Sequence, residues 1–375
     1  MKSPRWTLTL RWAVGLVWLP WLVSRVIVLA ALGVARELVT TIHPDASASA
    51  RVHQGLLGWD AGWYQSISLH GYGGVGHSAL RFFPMLPLLA HAVTWLPGID
   101  TGAALLLITN VSAFVAAILL VVLCRREMGD VSLGRRAVWL LCLAPPAFTL
   151  VMGYATATLL ALSIGAFLAL RRRNWLWAAL CGFLAGATQP LGVLLAFPAL
   201  VEISRGWRTV RLPERGNRLL AMIAPAAGCG AFLAWVGWRY GNAFAPLNIQ
   251  QQVGHRGPFL NPLVAASRQA GDLLHGRHLD TALHLPWEML VAVLVIVSLR
   301  RLPISYGIFA GAVLLVAIST SNPDSFERYA LCAFPIVVAG AMLTAGESVQ
   351  RAVMVLMGSG LLMYGLLAFL NVYVP

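Results

Sequence analysis

An aspartate flanked by aromatic residues is the feature of the sequence best suited to chemistry. Trp59, Asp60, Trp63 and Tyr64 fall within six positions. Aromatic rings offer flat faces on which a sugar ring can stack, and a carboxylate half-shielded by them can act as a general base. Asp60 is therefore the candidate catalytic residue. The same pattern is also typical of an interfacial Trp/Tyr belt in which Asp60 caps a short helix over 61–70.

Three arginines are candidates to bind a phosphate group. They are Arg328, Arg81 and Arg25, the last of which lies in the middle of an apolar run. A guanidinium can grip phosphate with two parallel hydrogen bonds and also supplies charge. Each arginine also has a structural alternative. Arg81 could anchor the chain to lipid at the interface, and Arg25 could snorkel to the membrane surface or pair with a carboxylate. Arg328 could form an ion pair with Glu327 or Asp324.

Histidines and acids do not form a recognisable metal motif. The four histidines of the first long polar segment lack the i, i+4 spacing with an acidic helper that is typical of zinc sites; they are His43, His53, His70 and His77. Asp60 has no Asp-x-Asp neighbour, which argues against a divalent metal. We therefore expect no metal and no cofactor. Further along, two groups are either acceptor contacts or solvated loop positions: His255 with Arg256, and His275 with His278.

Composition places these residues in a membrane protein. The 375 residues are 59% hydrophobic and 11% charged, with a mean hydropathy of +0.75, which excludes a set of soluble domains. The net charge of +13 would suggest nucleic acid in a soluble chain, but 26 of the 27 basic residues are arginine, as the positive-inside rule allows. We expect no nucleic-acid partner. The sequence also lacks a Walker motif and a dinucleotide fingerprint, which argues against a nucleotide-sugar donor.

The apolar runs predict an all-α polytopic membrane protein that forms a single integral domain over residues 1–375. Several runs are shorter than the ~20 residues that a crossing helix needs, which is tolerable inside a bundle. The runs are 12–34, 103–123, 137–153, 155–170, 219–240, 286–299, 303–320, 331–345 and 351–373.

The segment 174–203 is too long for one crossing and is broken at Gln189 and Pro190. Arginine clusters lie at both of its ends, at 171–173 and at 205–218. If both clusters are cytoplasmic, the segment must enter the membrane and return. Its two halves of about 14 residues would each reach only ~21 Å. We therefore expect the tip at Gln189 to line a cavity below the outer surface.

The segment 82–97 is apolar but begins with two prolines in six residues. If it crossed the membrane, the arginine-rich loop 124–136 would become external. We therefore expect a juxtamembrane helix that lies in the outer interface.

These assignments give about 11 crossings, with a cytoplasmic N-terminus and an external C-terminus. The inner face then carries eighteen basic and five acidic residues, a net charge of +13, and the outer face carries eight arginines and nine acids, a net charge of −1. Three outer segments remain for chemistry: the first loop 35–102, the second loop 241–285 and the short loop 321–330. We expect an extracytoplasmic active site in a bacterial cell membrane.

Short motifs in order along most of the chain resemble the PIG-V family, the mannosyltransferases that add the second mannose of the GPI anchor, and its bacterial relatives. The family belongs to the GT-C superfamily of membrane glycosyltransferases. The motifs are Trp59-Asp60-x-x-Trp63-Tyr64, Gly71-Tyr72, Phe82-Phe83-Pro84-x-x-Pro87-Leu88, Pro145-Pro146 with Tyr154, Thr188-Gln189-Pro190-Leu191-Gly192, and Glu327-Arg328-Tyr329 with Phe334-Pro335.

The resemblance implies a GT-C-type bundle that transfers a mannosyl unit from a polyprenyl-phosphate donor to an external acceptor, with Asp60 as the base. The acceptor, whether lipid, glycan or protein, is left open. The implied partners are membrane lipids and the polyprenyl-phosphate donor. Seven motif residues are implied to contact the sugar or the acceptor: Trp59, Trp63, Tyr64, Tyr72, Tyr154, Gln189 and Tyr329.

The chain departs from the family pattern at two places. Gln189 stands where the family often has arginine, and Ala155 to Thr158 replace a Ser-Glu pair. Both changes remove charge from the expected cavity. This loss of charge keeps open a second function, that of a non-catalytic subunit of a glycosyltransferase complex. A third is a lipid or solute carrier whose cavity is the same aromatic, arginine-lined space.

Overall fold

The computed structural model describes residues 4–42, 46–252, 254–277 and 284–374, and these residues contain helices but no strand. Five short 3-10 helices connect the α-helices, at Gly55–Leu57, His77–Arg81, Pro145–Leu150, Pro190–Leu195 and Trp207–Thr209. The α-helices are α1 (Pro4–Ile42), α2 (Ala46–Gln54), α3 (Asp60–Val75), α4 (Met85–Val93), α5 (Thr101–Met128), α6 (Val131–Leu143), α7 (Thr156–Arg171), α8 (Trp175–Thr188), α9 (Ala196–Ser204), α10 (Leu212–Tyr240), α11 (Ala245–Gln250), α12 (Pro262–Leu274), α13 (Leu285–Arg301), α14 (Ile304–Ile318), α15 (Phe326–Cys332), α16 (Phe334–Leu343) and α17 (Glu347–Phe369).

Among the described residues, four helices are long and apolar enough to cross a membrane: α1, α5, α10 and α17. The pair α15 and α16 forms a fifth candidate that is bent by 85°. Shorter apolar helices, including α7, α8 and α14, pack among them. The structure thus confirms an all-helical, multi-pass membrane protein. The number of about 11 crossings and the orientation of the termini stay predictions.

An aromatic cluster of the main core lies where α7 meets α14 and α16. The ring of Phe167 packs against Tyr306 at 4.7 Å, against Phe309 at 5.4 Å and against Phe334 at 5.0 Å between centroids. Tilted and edge-on arrangements of this kind are favourable for aromatic quadrupoles. This cluster joins the centre of the chain to α16 and so supports α15, which carries Arg328.

The segment 174–203 turns back on itself, as its arginine clusters indicate. At the start of α8, the Trp175 ring lies 4.9 Å from the Arg218 guanidinium. At the end of α9, the same guanidinium donates to the carbonyls of Ile203 and Arg205, both at 2.9 Å. Both ends of the hairpin therefore meet one residue of α10. Its tip at Gln189 lies in a cavity.

Glycines allow α8 to pack directly on the backbone of α10. A Cβ at Gly186 would lie 2.0 Å from the Pro225 carbonyl oxygen, and one at Gly228 would lie 1.9 Å from the Phe183 carbonyl oxygen. Small residues permit such close helix contacts in membranes. The hairpin is thereby held at a fixed depth against α10.

The helix α4 is only nine residues long, which spans ~14 Å and cannot cross a bilayer. Its Leu86 is fully buried, whereas Leu88 is 64% exposed. The length agrees with the predicted juxtamembrane position.

Candidate active site

Asp60 and Arg328, which are 268 positions apart, form an ion pair. The Arg328 Nη1 atom donates to Asp60 Oδ2 at 2.5 Å. The Arg328 side chain is 6% exposed and that of Asp60 is 23% exposed. The candidate base and the first candidate phosphate ligand are thus in direct contact, and the carboxylate keeps access to the cavity.

A strained residue directs Asp60 into the site. Trp59 has φ 57° and ψ −129°, a conformation that side chains other than glycine rarely adopt. Its indole N–H donates to the Ala368 carbonyl at 2.9 Å, which helps to hold it there. Asp60 is then the first residue of α3 and its N–H donates to the Tyr154 hydroxyl at 3.4 Å. The alternative that Asp60 caps the helix is wrong, because Trp59 occupies the cap position and the carboxylate faces Arg328.

Arg328 is positioned by the short helix α15, which begins after Ser325 at φ 67°. Its guanidinium lies 5.1 Å from the Tyr154 ring centroid and 5.0 Å from that of Tyr329. Cation–π contacts of this kind stabilise a desolvated guanidinium. The Nε atom of Arg328 is buried and has no hydrogen-bond partner among the described residues.

The alternative pairing of Arg328 with Glu327 or Asp324 is wrong. Glu327 accepts hydrogen bonds from His284 Nδ1 and from the Tyr373 hydroxyl, both at 2.8 Å. Asp324 accepts from the Asn322 amide at 3.0 Å. Arg328 therefore forms its ion pair with Asp60.

The ion pair lies in the wall of a cavity of about 780 Å³. Residues of all three predicted outer loops and of the hairpin tip line it together. The lining residues with polar or aromatic side chains are Arg51, Trp59, Asp60, Trp63, Tyr64, Arg81, Phe82, Phe83, Gln189, Gln250, Gln251, His255, Arg256, Phe259, Ser319, Thr320, Asn322, Asp324, Ser325, Arg328 and Tyr329.

One side of the cavity is aromatic. Trp63 stacks on Phe82 with 5.6 Å between centroids, and Tyr64 meets the same ring edge-on at 5.2 Å. Tyr64 is hydrogen-bonded to Gln189, while burial and the charge of Asp60 raise its pKa. A neutral phenol and an amide beside aromatic faces form a surface suited to a sugar, which presents both hydroxyls and C–H groups.

Four arginines line the cavity. Besides Arg328, the guanidinium of Arg51 lies over the Trp59 ring at 4.1 Å. Arg256 lies over Tyr329 at 4.8 Å and donates to the carbonyls of Val316 and Ala317. Sequence reasoning missed Arg51 and offered Arg256 only as a possible acceptor contact. The sequence signal that could have identified Arg256 as a cavity residue was its place in the second outer loop, beside His255.

Arg81 contacts His255, with 3.3 Å between Nη1 and Nδ1. Burial and the nearby charge of Arg81 lower the pKa of His255. The interfacial lipid anchor proposed as an alternative for Arg81 does not describe its position, because the side chain faces the cavity.

Three predicted site residues do not line the cavity. Arg25 donates to Asn110 Oδ1 and to the Leu150 carbonyl, both at 3.0 Å, so it is neither a phosphate ligand nor paired with a carboxylate in this structure. The Tyr72 hydroxyl donates to the Phe82 carbonyl at 2.7 Å. Tyr154 is fully buried behind the ion pair. Tyr72 and Tyr154 thus hydrogen-bond to the backbone of the cavity residues Phe82 and Asp60, whereas Arg25 lies away from the site.

A buried polar network behind Arg328 was not foreseen. His284 and Glu327, each less than 6% exposed, form its centre. Burial alone would lower the pKa of His284, but the hydrogen bond and the charge of Glu327 raise it. This network fixes the residue next to Arg328.

Within the described ranges, no group of three or more His, Cys, Asp or Glu side chains could hold a metal ion. His43 and His278 lie outside the described residues. The prediction of a metal-independent site therefore stays a prediction.

Fold and cavity together define an integral membrane protein with an aromatic, arginine-rich pocket. No family model matches the chain, and no curated protein matches it. Among solved structures, the crystal structure of ArnT from Cupriavidus metallidurans bound to undecaprenyl phosphate has a similar fold, with a TM-score of 0.45 and 17% sequence identity over 84% of this chain and 72% of that one. The resemblance to the PIG-V family stays a prediction from the motifs.

Proposed function

We propose that the protein is a GT-C-type membrane glycosyltransferase. It transfers a hexosyl unit from a polyprenyl-phosphate donor to an acceptor on the extracytoplasmic side. The proposed hexosyl unit is a mannosyl unit. The observation that carries the proposal is the Asp60 carboxylate paired with Arg328 in the wall of an aromatic cavity. A transferase of this type needs a base for the acceptor and a cation for the leaving phosphate, and the site supplies both side by side.

The reaction is a single displacement. The acceptor hydroxyl oxygen attacks the anomeric carbon, and Asp60 takes the hydroxyl proton. The bond between the anomeric carbon and the phosphate oxygen breaks, and the polyprenyl phosphate leaves with the electron pair. Arg328 stabilises the charge that develops on this phosphate. Because attack and departure take place on opposite faces of the sugar, the configuration is inverted.

Aromatic and amide side chains position the sugar. Trp59, Trp63 and Tyr64 offer ring faces at the carboxylate, and Gln189 and Tyr329 offer hydrogen bonds. The mannosyl identity of the sugar rests on the resemblance of the motifs alone.

A transfer assay tests the proposal. Purified protein in liposomes receives radiolabelled polyprenyl-phosphate-mannose and a membrane lipid extract. Asp60→Asn should lower the transfer rate by about 10²–10⁴-fold, the usual contribution of a general base. Glu347→Gln, which alters an exposed carboxylate on the predicted inner side, should leave the rate unchanged. A fully active Asp60→Asn variant would refute the role of Asp60.

The alternatives predict other results in the same experiment. A carrier would move labelled lipid across the liposome membrane with its glycosidic bond intact. A non-catalytic subunit would bind the donor and transfer nothing until its partner was added.

The proposed orientation places the cavity outside the cell. Arg268 and Arg208 are both exposed, in the predicted outer loop 241–285 and in a predicted inner loop. A membrane-impermeant maleimide should label Arg268→Cys in intact cells and should label Arg208→Cys only after lysis. The reverse pattern would place the cavity on the cytoplasmic side.

A further inference from the structure

The cavity carries more positive than negative charge. Four arginines and two aspartates line it. The ion pair of Asp60 uses one arginine, and Asp324 is hydrogen-bonded to Asn322. None of the other three arginines, Arg51, Arg81 and Arg256, forms an ion pair with a carboxylate in the described part of the chain. A cavity that holds unpaired guanidinium groups is suited to anions.

In the hydrogen bond between Arg81 and His255, the donor and the acceptor can be assigned. A guanidinium only donates hydrogen bonds, so Nδ1 of His255 must accept. The neutral imidazole then carries its proton on Nε2. Arg81 and His255 together can therefore present donors, and Arg81 Nε is buried with no partner among the described residues.

Rings hold Arg81 in place. Its guanidinium lies 4.6 Å from the Phe82 centroid and 5.6 Å from that of Trp63. Trp63 belongs to the same helix as Asp60, and Asp60 lies close enough for its charge to act on the His255 imidazole. The carboxylate thus contacts Arg328 directly and lies near the second group, formed by Arg81 and His255.

The group around Arg328 is assigned to the donor. Arg328 and Arg256 both lie within 5.0 Å of the Tyr329 ring centroid. The Nε atoms of both are buried without a partner among the described residues. The donor is a phosphate diester with one negative charge, so two guanidinium groups suffice for it.

We infer that Arg81 and His255 form a second anion site, and that the acceptor is a lipid whose head group carries a phosphate or carboxylate near the accepting hydroxyl. This inference rests on the proposed function. A base between a donor phosphate and an acceptor anion would meet the acceptor hydroxyl on the side away from the leaving group. The apolar side chains Leu194, Leu315 and Val316 line the same cavity and give it a wall suited to lipid chains.

Fractionated acceptors test the inference. A membrane lipid extract is separated by anion exchange into uncharged and acidic pools, and each is supplied with labelled polyprenyl-phosphate-mannose. We expect label to enter the acidic pool. Arg81→Gln should lower kcat/KM for the acidic pool by about tenfold or more, the effect of losing a charge-assisted hydrogen bond. Its KM for the donor should stay unchanged. All constants of Arg268→Gln should stay unchanged as well, because Arg268 is an exposed residue of the second outer loop, which also carries His255.

Digestion of the labelled product separates the two sources of charge. Loss of the label's negative charge after dephosphorylation with aqueous hydrogen fluoride identifies a phosphate, and loss of that charge on carbodiimide amidation identifies a carboxylate. Transfer into the uncharged pool or into protein would overturn the inference while leaving the proposed function intact. A raised donor KM in Arg81→Gln would also overturn it, because Arg81 would then belong to the donor site.

Lipid binding gives a measurement that does not need turnover. Native mass spectrometry with phosphatidylglycerol as the probe should show one tightly retained lipid fewer in Arg81→Gln than in the wild type. If no pool accepts label but this difference is found, the proposed function fails and the anion site stands. Equal retention by both proteins would overturn the anion site.

Discussion

The Asp60 carboxylate accepts a hydrogen bond of 2.5 Å from the Arg328 guanidinium, so the candidate base is engaged before any substrate is present. In the proposed reaction the donor phosphate competes for the same guanidinium. Donor binding would then weaken the hold of Arg328 on Asp60 and leave the carboxylate to the acceptor hydroxyl.

Arg328→Gln should lower kcat/KM for the donor by about 10²–10³-fold, because a preorganised cation is lost from the leaving group. It should also lower Tm, since Asp60 is left partly buried without its partner. Arg328→Lys keeps the charge without the planar fork and should be intermediate. The double variant Asp60→Asn with Arg328→Gln should recover Tm without recovering transfer. If the double variant is as unstable as the sum of the single ones, the pair is not coupled.

Arg25→Gln should lower Tm and leave the donor KM within about twofold of the wild type, the scatter expected for a residue remote from the site. The reason is that Arg25 hydrogen-bonds Asn110 and the Leu150 carbonyl and so ties α1 to α5 and to the segment after α6. Thermal unfolding in detergent and donor kinetics measure the two effects. A large rise in donor KM with an unchanged Tm would restore Arg25 as a phosphate ligand.

Gly186→Ala should destabilise the protein by about 1–3 kcal/mol or more, the usual effect of overpacking. Its Cβ would meet the Pro225 carbonyl oxygen, so α8 must move away from α10. The matched control is Gly216→Ala, also in a helix but with nothing within 4 Å of the added Cβ, and it should be neutral or slightly stabilising. Similar Tm values for both variants would show that the two helices can separate without loss.

His284 should make stability depend on pH. Although burial opposes it, Glu327 raises the pKa of His284. The ion pair therefore contributes fully below the unfolded-state pKa of about 6.5, and its contribution is lost as the pH rises through the higher folded-state pKa. Between about pH 6 and pH 9 the Tm of the wild type should fall more than that of His284→Gln. The exposed His70→Gln should follow the wild type, and a parallel course of all three proteins would contradict the prediction.

Much of the architecture could be predicted from the sequence, because the membrane imposes length and charge rules on local segments. The apolar runs predicted the helices, and the arginine clusters at 171–173 and 205–218 predicted a hairpin whose tip lies in a cavity. Asp60 was recognisable because its aromatic neighbours are adjacent in the chain. Such signals depend on residues that are close together in the chain, so they can be read from the sequence.

Tertiary structure alone decided how the residues meet. Nothing in the spacing shows that Arg328 pairs with Asp60 and not with the adjacent Glu327. That choice depends on where the fold places α15 relative to Asp60, and on His284 and Tyr373, which hydrogen-bond to Glu327. The same holds for Arg25, which binds backbone and amide groups inside the bundle, and for Arg256, which stacks on Tyr329 in the cavity. A side chain's partner is set by which helices are neighbours in space, and a sequence of apolar helices leaves that arrangement undetermined.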